Sequence, residues 1–242
     1  MKSEPVRLQK FVAEQGLASR RQAEVLIEEG RLTINGQPAR LGAKVTPGED
    51  EVRLDGKLVR ASRGLKTLVL AMHKPPGYLC SNRDPHEKKT IFTLLPPSFA
   101  KERLFCAGRL DKESEGLLIL TNDGALTQKL THPSHRVTKR YRVTLDRDYD
   151  EKHTRRLLDG ISWEGERLKV EKVIPLTRGK ERRQLELHMQ HGKKREIRRL
   201  LFACGYGVNR LVRFQIGRLE LRGLSKGRVR VLQEEEIGRL FD

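Results

Sequence analysis

The sequence predicts an α+β protein, with a small N-terminal module followed by a larger domain on a mainly antiparallel mixed sheet. Three observations carry that prediction. Short apolar runs bounded by Gly, Pro and Asn-Gly or Asp-Gly pairs recur along the chain and read as strands. Only a few segments hold helical periodicity. A small, basic, aperiodic stretch at residues 61–66 reads as a linker, dividing the 242 residues into segments 5–60 and 67–242. The longest apolar run, residues 68–72, falls far short of the roughly 20 residues that a helical membrane span needs. No membrane association is expected.

In the first segment, Leu8, Phe11 and Val12 recur at helical spacing and Gly16 follows as a C-terminal cap. Ser19 opens a second helix. The Ser19-x-x-Gln22 spacing is a capping box, Ala23, Leu26 and Ile27 form an apolar stripe, and Gly30 closes the helix where a left-handed residue is needed. So short a connection obliges the two helices to pack together. Leu32-Thr33-Ile34 with Asn35-Gly36, then Lys44-Val45, then Val52-Arg53-Leu54 with Asp55-Gly56 before Leu58-Val59, carry strand and hairpin signals. Leu8-Gln9-Lys10-Phe11-Val12, Ala18-Ser19-Arg20-Arg21 and Gly30-Arg31-Leu32-Thr33-Ile34-Asn35-Gly36 resemble the αL RNA-binding motif named from a ribosomal small-subunit protein. Arg20 and Arg21 lie at a helix N-terminus, where guanidinium groups and unpaired backbone N–H groups can meet one phosphate cluster. A solvated arginine pair is the alternative.

In the second segment, residues 67–73 read as a strand stopped by Lys74-Pro75-Pro76-Gly77, because consecutive prolines forbid both helix and ladder hydrogen bonding. Leu117-Leu118-Ile119-Leu120-Thr121, ending at Asn122-Asp123-Gly124, reads as a buried strand and turn. Further strands are predicted at 141–145, 168–174, 184–189, 214–221 and 229–232. Helices are predicted at 125–130, 149–158 and 195–204.

The chain carries 50 Lys and Arg against 32 Asp and Glu, a net charge of +18, so a polyanionic partner is expected. The surplus is uneven. Residues 1–64 hold 12 basic and 9 acidic side chains, whereas residues 190–230 hold 12 and 2. The cations of the second stretch are interleaved with Ile197, Leu200, Leu201, Phe202, Val208, Leu211 and Phe214. That mixture predicts a folded element with a core side and a basic side, the footprint of phosphate binding. Cys80, Cys106 and Cys204 are scattered and odd in number, which argues against a disulfide framework and for a reducing cytoplasm. No apolar segment follows the N-terminal charges, so no secretory signal is expected. The pairs His132/His135 and His188/His191 lack the thiol or carboxylate pattern of a zinc set, and no metal is expected.

Phosphate-loop, dinucleotide and nucleophile-elbow signatures are absent, which removes support for ATP, dinucleotide and acyl-transfer chemistry. What remains is Ala107-Gly108-Arg109-Leu110-Asp111-Lys112-Glu113-Ser114-Glu115-Gly116, leading into the apolar strand. An acidic residue in a glycine-bounded loop before a buried strand is both rigid and exposed, as a nucleophile or base must be. Composition leaves Asp111 open between that role and an ordinary turn aspartate.

This run is similar to the active-site loop of the RsuA/RluB/RluE/RluF family of pseudouridine synthases, and the resemblance extends over essentially the whole chain. Lys74-Pro75-Pro76-Gly77-Tyr78 resembles the family's strand-end motif, and His132-Pro133-Ser134 with Lys139-Arg140-Tyr141-Arg142-Val143 resembles its second. Gly192-Lys193-Lys194-Arg195-Glu196-Ile197-Arg198-Arg199-Leu200, followed by Gly205-Tyr206 and Arg210-Leu211, resembles the third. Ser114 stands where a threonine is common, and Glu115 and Pro76 occupy variable places.

The resemblance implies a pseudouridine synthase fold for 67–242 and an RNA uridine isomerase. Asp111 is implied as catalytic nucleophile, Tyr141 as a stack for the target uracil, Arg198 as the ion-pair partner of Asp111, and Ile197 as packing on the base. Arg109, Lys193, Lys194, Arg195 and Arg199 are expected as RNA contacts, with Arg20 and Arg21 as a second grip. Each role has a physical basis. The reaction cleaves the C1′–N1 bond, turns the uracil and joins C1′ to C5, so the base must be held while detached. An isomerisation has no redox or group-transfer balance to close, so no cofactor is expected.

Within the family, residues 77–85 and 90–96 look most like the RluB-type large-subunit enzymes, which implies 23S rather than 16S ribosomal RNA. The expected setting is an assembling subunit in the cytoplasm, with the chain a monomer. A non-catalytic RNA-binding assembly factor would explain the module and the basic stretch, but has no need of an acid inside a polyanion-binding cleft. A methyltransferase reading lacks the glycine-rich cofactor loop of a doubly wound sheet.

Overall fold

The computed structural model describes residues 4–60, 67–82, 87–176 and 182–241. The predicted linker at 61–66 and the Arg83-Asp84-Pro85 part of the RluB-like segment lie outside the described residues. The chain forms two compact units that divide between Thr67 and Leu68.

The first unit runs β1 (Val6–Arg7), α1 (Leu8–Glu14), α2 (Arg20–Glu28), β2 (Leu32–Ile34), β3 (Gln37–Pro38), β4 (Lys44–Val45), β5 (Val52–Leu54) and β6 (Lys57–Leu58). Both arms of the capping box form: Gln22 N–H donates to Ser19 Oγ at 3.2 Å, and Ser19 N–H donates to Gln22 Oε1 at 3.0 Å. Gly30 has φ +69°, the left-handed close that the sequence requires. Leu8, Phe11, Val12, Ala23 and Ile27 from the helices share one apolar cluster with Leu32, Val45 and Val52 from the strands.

The second unit runs β7 (Val69–Lys74), β8 (Phe105–Ala107), β9 (Glu115–Thr121), α3 (Gly124–Thr131), β10 (Lys139–Leu145), α4 (His153–Asp159), β11 (Ile161–Trp163), β12 (Glu166–Leu168), β13 (Lys172–Pro175), β14 (Gln184–Met189), α5 (Glu196–Phe202), β15 (Val208–Ile216), β16 (Leu219–Glu220), β17 (Val229–Val231) and α6 (Glu234–Gly238). Among the described residues the main sheet has nine strands, ordered β13-β14-β10-β15-β9-β7-β17, with β8 on β9 and β16 on β15. Its pairings are antiparallel except for one contact, β15 with β9. No helix among the described residues is long and apolar enough to cross a membrane.

β9 is buried at every position, which is why its 117–120 stretch is continuously apolar instead of alternating. Leu117 and Ile119 enter one cluster with Val69 and Leu126, while Leu118 and Leu120 enter another with Leu70, Met72 and Ile91. The other half of the sheet builds a third cluster. There Tyr141, Val143 and Leu145 meet Leu185, Leu187 and Met189 of β14 and Ile197, Leu200 and Leu201 of α5.

Two predicted strands need correction. The 168–174 strand is two strands in different sheets: β12 closes a hairpin on β11, and β13 pairs with β14. The apolar alternation runs through the break, and tertiary pairing decides where the chain leaves one ladder for the other. The 214–221 strand instead begins at Val208 and stops at Ile216, where Gly217 turns the chain at φ +55° under the Leu240 backbone. The predicted helices keep their places: α3 runs one residue further at each end, α4 starts only at His153 and ends at Asp159, and α5 is shorter at both ends.

The one parallel contact depends on Gly116. It pairs with Arg213 at φ +122°, and a β-carbon there would lie 2.2 Å from the Arg213 carbonyl oxygen. Gly124, at the start of α3, faces open space. Gly116→Ala is therefore expected to destabilise this unit by about 3 kcal/mol or more, combining backbone strain with overpacking. Gly124→Ala should be neutral or stabilise by up to about 1 kcal/mol. Trp163, the single tryptophan of the chain, lies in this unit, so denaturation followed by its fluorescence reads the comparison. Equal midpoints for the two variants would refute the close-approach argument.

Candidate active site

The 108–116 loop lies between Gly108 at φ +86° and Gly116. Asp111 is half-buried, while Ser114 and Glu115 behind it are buried. Cations hold the loop by its backbone. Lys74, the last residue of β7, is completely buried; its Nζ donates to the carbonyls of Ser114 at 2.8 Å, Pro75 at 3.1 Å and Lys112 at 3.2 Å. All three ammonium donors are thereby used. Burial pushes the Lys74 pKa down, an effect that Cys80, Glu113 and Asp111 oppose. From β15, buried Arg213 donates Nε to the Leu117 carbonyl at 2.8 Å and Nη1 to that of Arg109 at 3.5 Å. Gly77 N–H adds a bond to the Lys112 carbonyl at 2.7 Å, and Leu110 N–H reaches Cys80 Sγ at 3.4 Å.

Tyr141 is 9% exposed and stands between Leu187 of β14 and Arg213 of β15. Leu110, Tyr141 and Ile197 belong to one apolar cluster, so the fold brings together the loop, the tyrosine strand and the basic helix. Arg198, on α5, is half-buried. Its Nη1 donates to the Val208 carbonyl at 3.1 Å, and its Nε is buried with no hydrogen-bond partner. Burial and Arg195 lower the Arg198 pKa, while Glu113 and Asp111 act to raise it. Arg198 therefore feels the Asp111 charge through space, with one arm tied to β15; the closed ion pair implied by the resemblance is not among the contacts of the described residues.

The remaining predicted residues divide into groups. Arg195 pairs with Glu113 of the loop at 2.9 Å. Arg199 pairs with Glu166 at 2.5 Å and Lys193 Nζ donates to the Arg167 carbonyl at 2.7 Å, so both tie α5 and its approach to the β11–β12 hairpin. Lys194 and Arg109 have exposed side chains, and the Arg109 backbone is held by Arg213. Arg20 and Arg21, in the first unit, are exposed in the first turn of α2. Of the histidines, His188 bonds Glu186 at 2.7 Å, His191 bonds Glu196 at 3.0 Å and His132 bonds Ser134 at 2.7 Å.

Sequence reasoning assigned no role to Arg213 or Glu115. An arginine flanked by Leu211, Val212 and Ile216 in a strand was the available signal for the first. Glu115, 5% exposed on its side chain, receives Arg210 Nη2 at 2.8 Å and Arg210 Nε at 3.2 Å, Lys226 Nζ at 3.2 Å and His73 Nε2 at 3.3 Å. Burial would raise its pKa, but these donors outweigh burial and hold it down to about 2.

Known proteins resemble this chain in both of its units. A family profile described as RNA pseudouridylate synthase matches residues 68–203, and an S4 domain profile matches residues 6–52. The chain is 40% identical over 238 residues to an uncharacterised RNA pseudouridine synthase of Aquifex aeolicus, spanning 98% of this chain and 94% of that one. It is 37% identical over 227 residues to the ribosomal large subunit pseudouridine synthase B of Salmonella typhi, spanning 91% and 77% respectively. A crystal structure of a pseudouridylate synthase superposes with a TM-score of 0.70 at 30% identity, covering 97% of this chain and 99% of the other.

The Glu115 cluster gives a pH signature. A carboxylate whose folded pKa lies below its unfolded value stabilises the fold fully above about pH 4.5 and loses that contribution as pH falls towards about 2. The wild-type chain should thus exceed Glu115→Gln by about 2–3 kcal/mol at neutral pH, with the gap closing below about pH 4.5. Urea denaturation at stepped pH measures it. A gap that stays constant down to about pH 2 would show that the charge of Glu115 is not what stabilises.

Proposed function

We propose that this chain, which belongs to the RNA pseudouridylate synthase family, isomerises a uridine of 23S ribosomal RNA in the large subunit, with Asp111 as the catalytic carboxylate. The single observation supporting that assignment is the 108–116 loop, whose backbone is held by buried cations, whose Leu110 shares an apolar cluster with Tyr141 and Ile197, and whose Asp111 lies within electrostatic reach of Arg198. The fit to large-subunit RNA rests on the similarity to pseudouridine synthase B.

In this reading the uridine leaves its stack, at a cost of a few kcal/mol, and enters beside Asp111. The carboxylate must be ionised to act on the nucleoside, and Lys74 and Arg198 both lie within electrostatic reach of it. The C1′–N1 bond breaks, the uracil turns and C1′ joins C5; the C5 hydrogen leaves as a proton and the freed N1 takes one up, so the product is an isomer of the uridine. Tyr141 and Ile197 keep the free base from diffusing away during the turn. The S4-type unit supplies a second RNA grip through Arg20 and Arg21, which raises the local concentration of the target. The reaction takes place on an assembling subunit in the cytoplasm, while the flanking strand is still free to bend.

The test uses 23S and 16S ribosomal RNA carrying tritium at uridine C5. Wild-type chain should release label from 23S RNA alone. Asp111→Ala and Asp111→Asn should lower the rate by at least about 10³-fold, and Arg198→Ala by about 10- to 10²-fold. Equal release by wild type and Asp111→Ala would sink the catalytic assignment, and release from 16S RNA alone would sink the substrate assignment.

A further inference from the structure

Among the described residues, five that are not glycine have positive φ, between 48° and 52°: Asn35, Asp55, Arg136, Glu164 and Arg195. Asn35, Asp55 and Glu164 each precede a glycine in a hairpin turn that demands this conformation. The two arginines sit in no hairpin. Arg195 precedes α5, and Arg136 closes the 3-10 turn Pro133–His135. Left-handed backbone favours glycine, so a long cationic side chain held there points to a contact that only the side chain can make. Arg195 has such a contact in Glu113. Arg136 is exposed and its guanidinium has no hydrogen bond or ion pair among the described residues.

Arg136 lines a cleft of about 340 Å³ together with Pro133, Lys169, Glu171, Gln190 and His191. Its acid, Glu171, is already matched by Lys169 at 3.3 Å and His191 at 3.8 Å, so Arg136 leaves a positive surplus. The turn that lines the cleft follows α3, and α3 itself packs on the 108–116 loop: a β-carbon at Gly108 would lie 3.5 Å from Cγ2 of Thr131, two residues before Pro133. Lys139, two residues before Tyr141 on the same face of β10, is half-buried, and burial together with Arg213 pushes its amine down to about 8. Two cations without a carboxylate partner among the described residues, Arg136 and Lys139, thus lie along the chain that leads from the cleft to Tyr141.

We propose that this cleft binds a phosphodiester of the RNA strand flanking the target uridine, with the Arg136 guanidinium as its cation. The proposal rests on the reading of the chain as an RNA uridine isomerase and adds the route of the strand as it leaves the Asp111 loop. A guanidinium fork matches two phosphate oxygens, and a flipped nucleotide needs its neighbouring backbone held.

Arg136→Gly separates backbone from side chain, since it relieves the left-handed residue while deleting the charge. The full-length variant is compared with wild type and Arg136→Lys, using 23S ribosomal RNA in filter retention across about 50–200 mM salt and in single-turnover tritium release. For Arg136→Gly the unfolding midpoint should be unchanged or higher, and the log–log salt slope shallower by about 0.7–0.9, one phosphate contact. The RNA concentration for half-maximal rate should rise about five-fold or more, with the maximal rate kept within about two-fold. Arg136→Lys should restore the slope. An unchanged slope, a lower maximal rate at unchanged half-saturation, or a lower unfolding midpoint would each overturn the proposal. If wild-type chain releases no tritium, the isomerase reading fails on its own, and the salt slope still decides whether Arg136 meets phosphate.

Discussion

The structure depends on two buried cations, Lys74 and Arg213, that bond carbonyl oxygens of the 108–116 loop and the start of β9 and, among the described residues, make no ion pair with Asp111. Lys74 and Arg213 together hold the backbone at Arg109, Lys112, Ser114 and Leu117. Had either closed an ion pair on Asp111, the acid would be fixed but covered. Donating to carbonyls fixes the loop, leaves the acid half-exposed, and still keeps positive charge close to it. Burying Lys74 without a carboxylate is costly, and three carbonyl acceptors offset that cost. The same geometry explains why the strand-end motif begins with this lysine: the prolines that follow stop the ladder, and the chain turns so that Gly77 N–H also reaches Lys112.

The sheet topology follows from the same requirement. β15 lies between β9 and β10, so one arginine on β15 can reach the loop that enters β9 while standing opposite Tyr141 of β10. That arrangement needs β15 to run parallel to the start of β9 and to approach it closely, which is possible only because Gly116 has no side chain. The single parallel contact in an otherwise antiparallel sheet is therefore the place where the 108–116 loop is attached to β15, the neighbour of the strand that carries Tyr141.

Local features were legible in the sequence because they are decided locally. The Ser19–Gln22 box, the hairpins at Asn35-Gly36 and Asp55-Gly56, and the buried strand 117–121 depend on a few consecutive residues, and each formed as read. The division of 168–174 between two sheets and the early start of β15 were not legible, since partners distant in sequence set them. At the site, motif resemblance brought Asp111, Tyr141, Ile197 and Arg198 to notice, but could not show that Arg198 is tied to Val208. Nor could it separate Lys193, Arg195 and Arg199, which bond within the protein, from Lys194, which faces solvent.

That separation changes what the charge of this chain means. Residues 190–230 hold 12 basic side chains, yet Arg195, Arg199 and Arg210 pair with Glu113, Glu166 and Glu115, Lys226 also meets Glu115, and Arg213 is spent on carbonyls. A cation already bonded to a protein carboxylate must break or share that bond before it neutralises a phosphate, so it adds less to RNA affinity than a free one. The formal charge of a basic stretch is thus an upper bound on its phosphate contacts. Much of the basic character near this site is paired within the protein, and the cations without a carboxylate partner among the described residues lie in part outside the stretch, as Arg136 and Lys139 do.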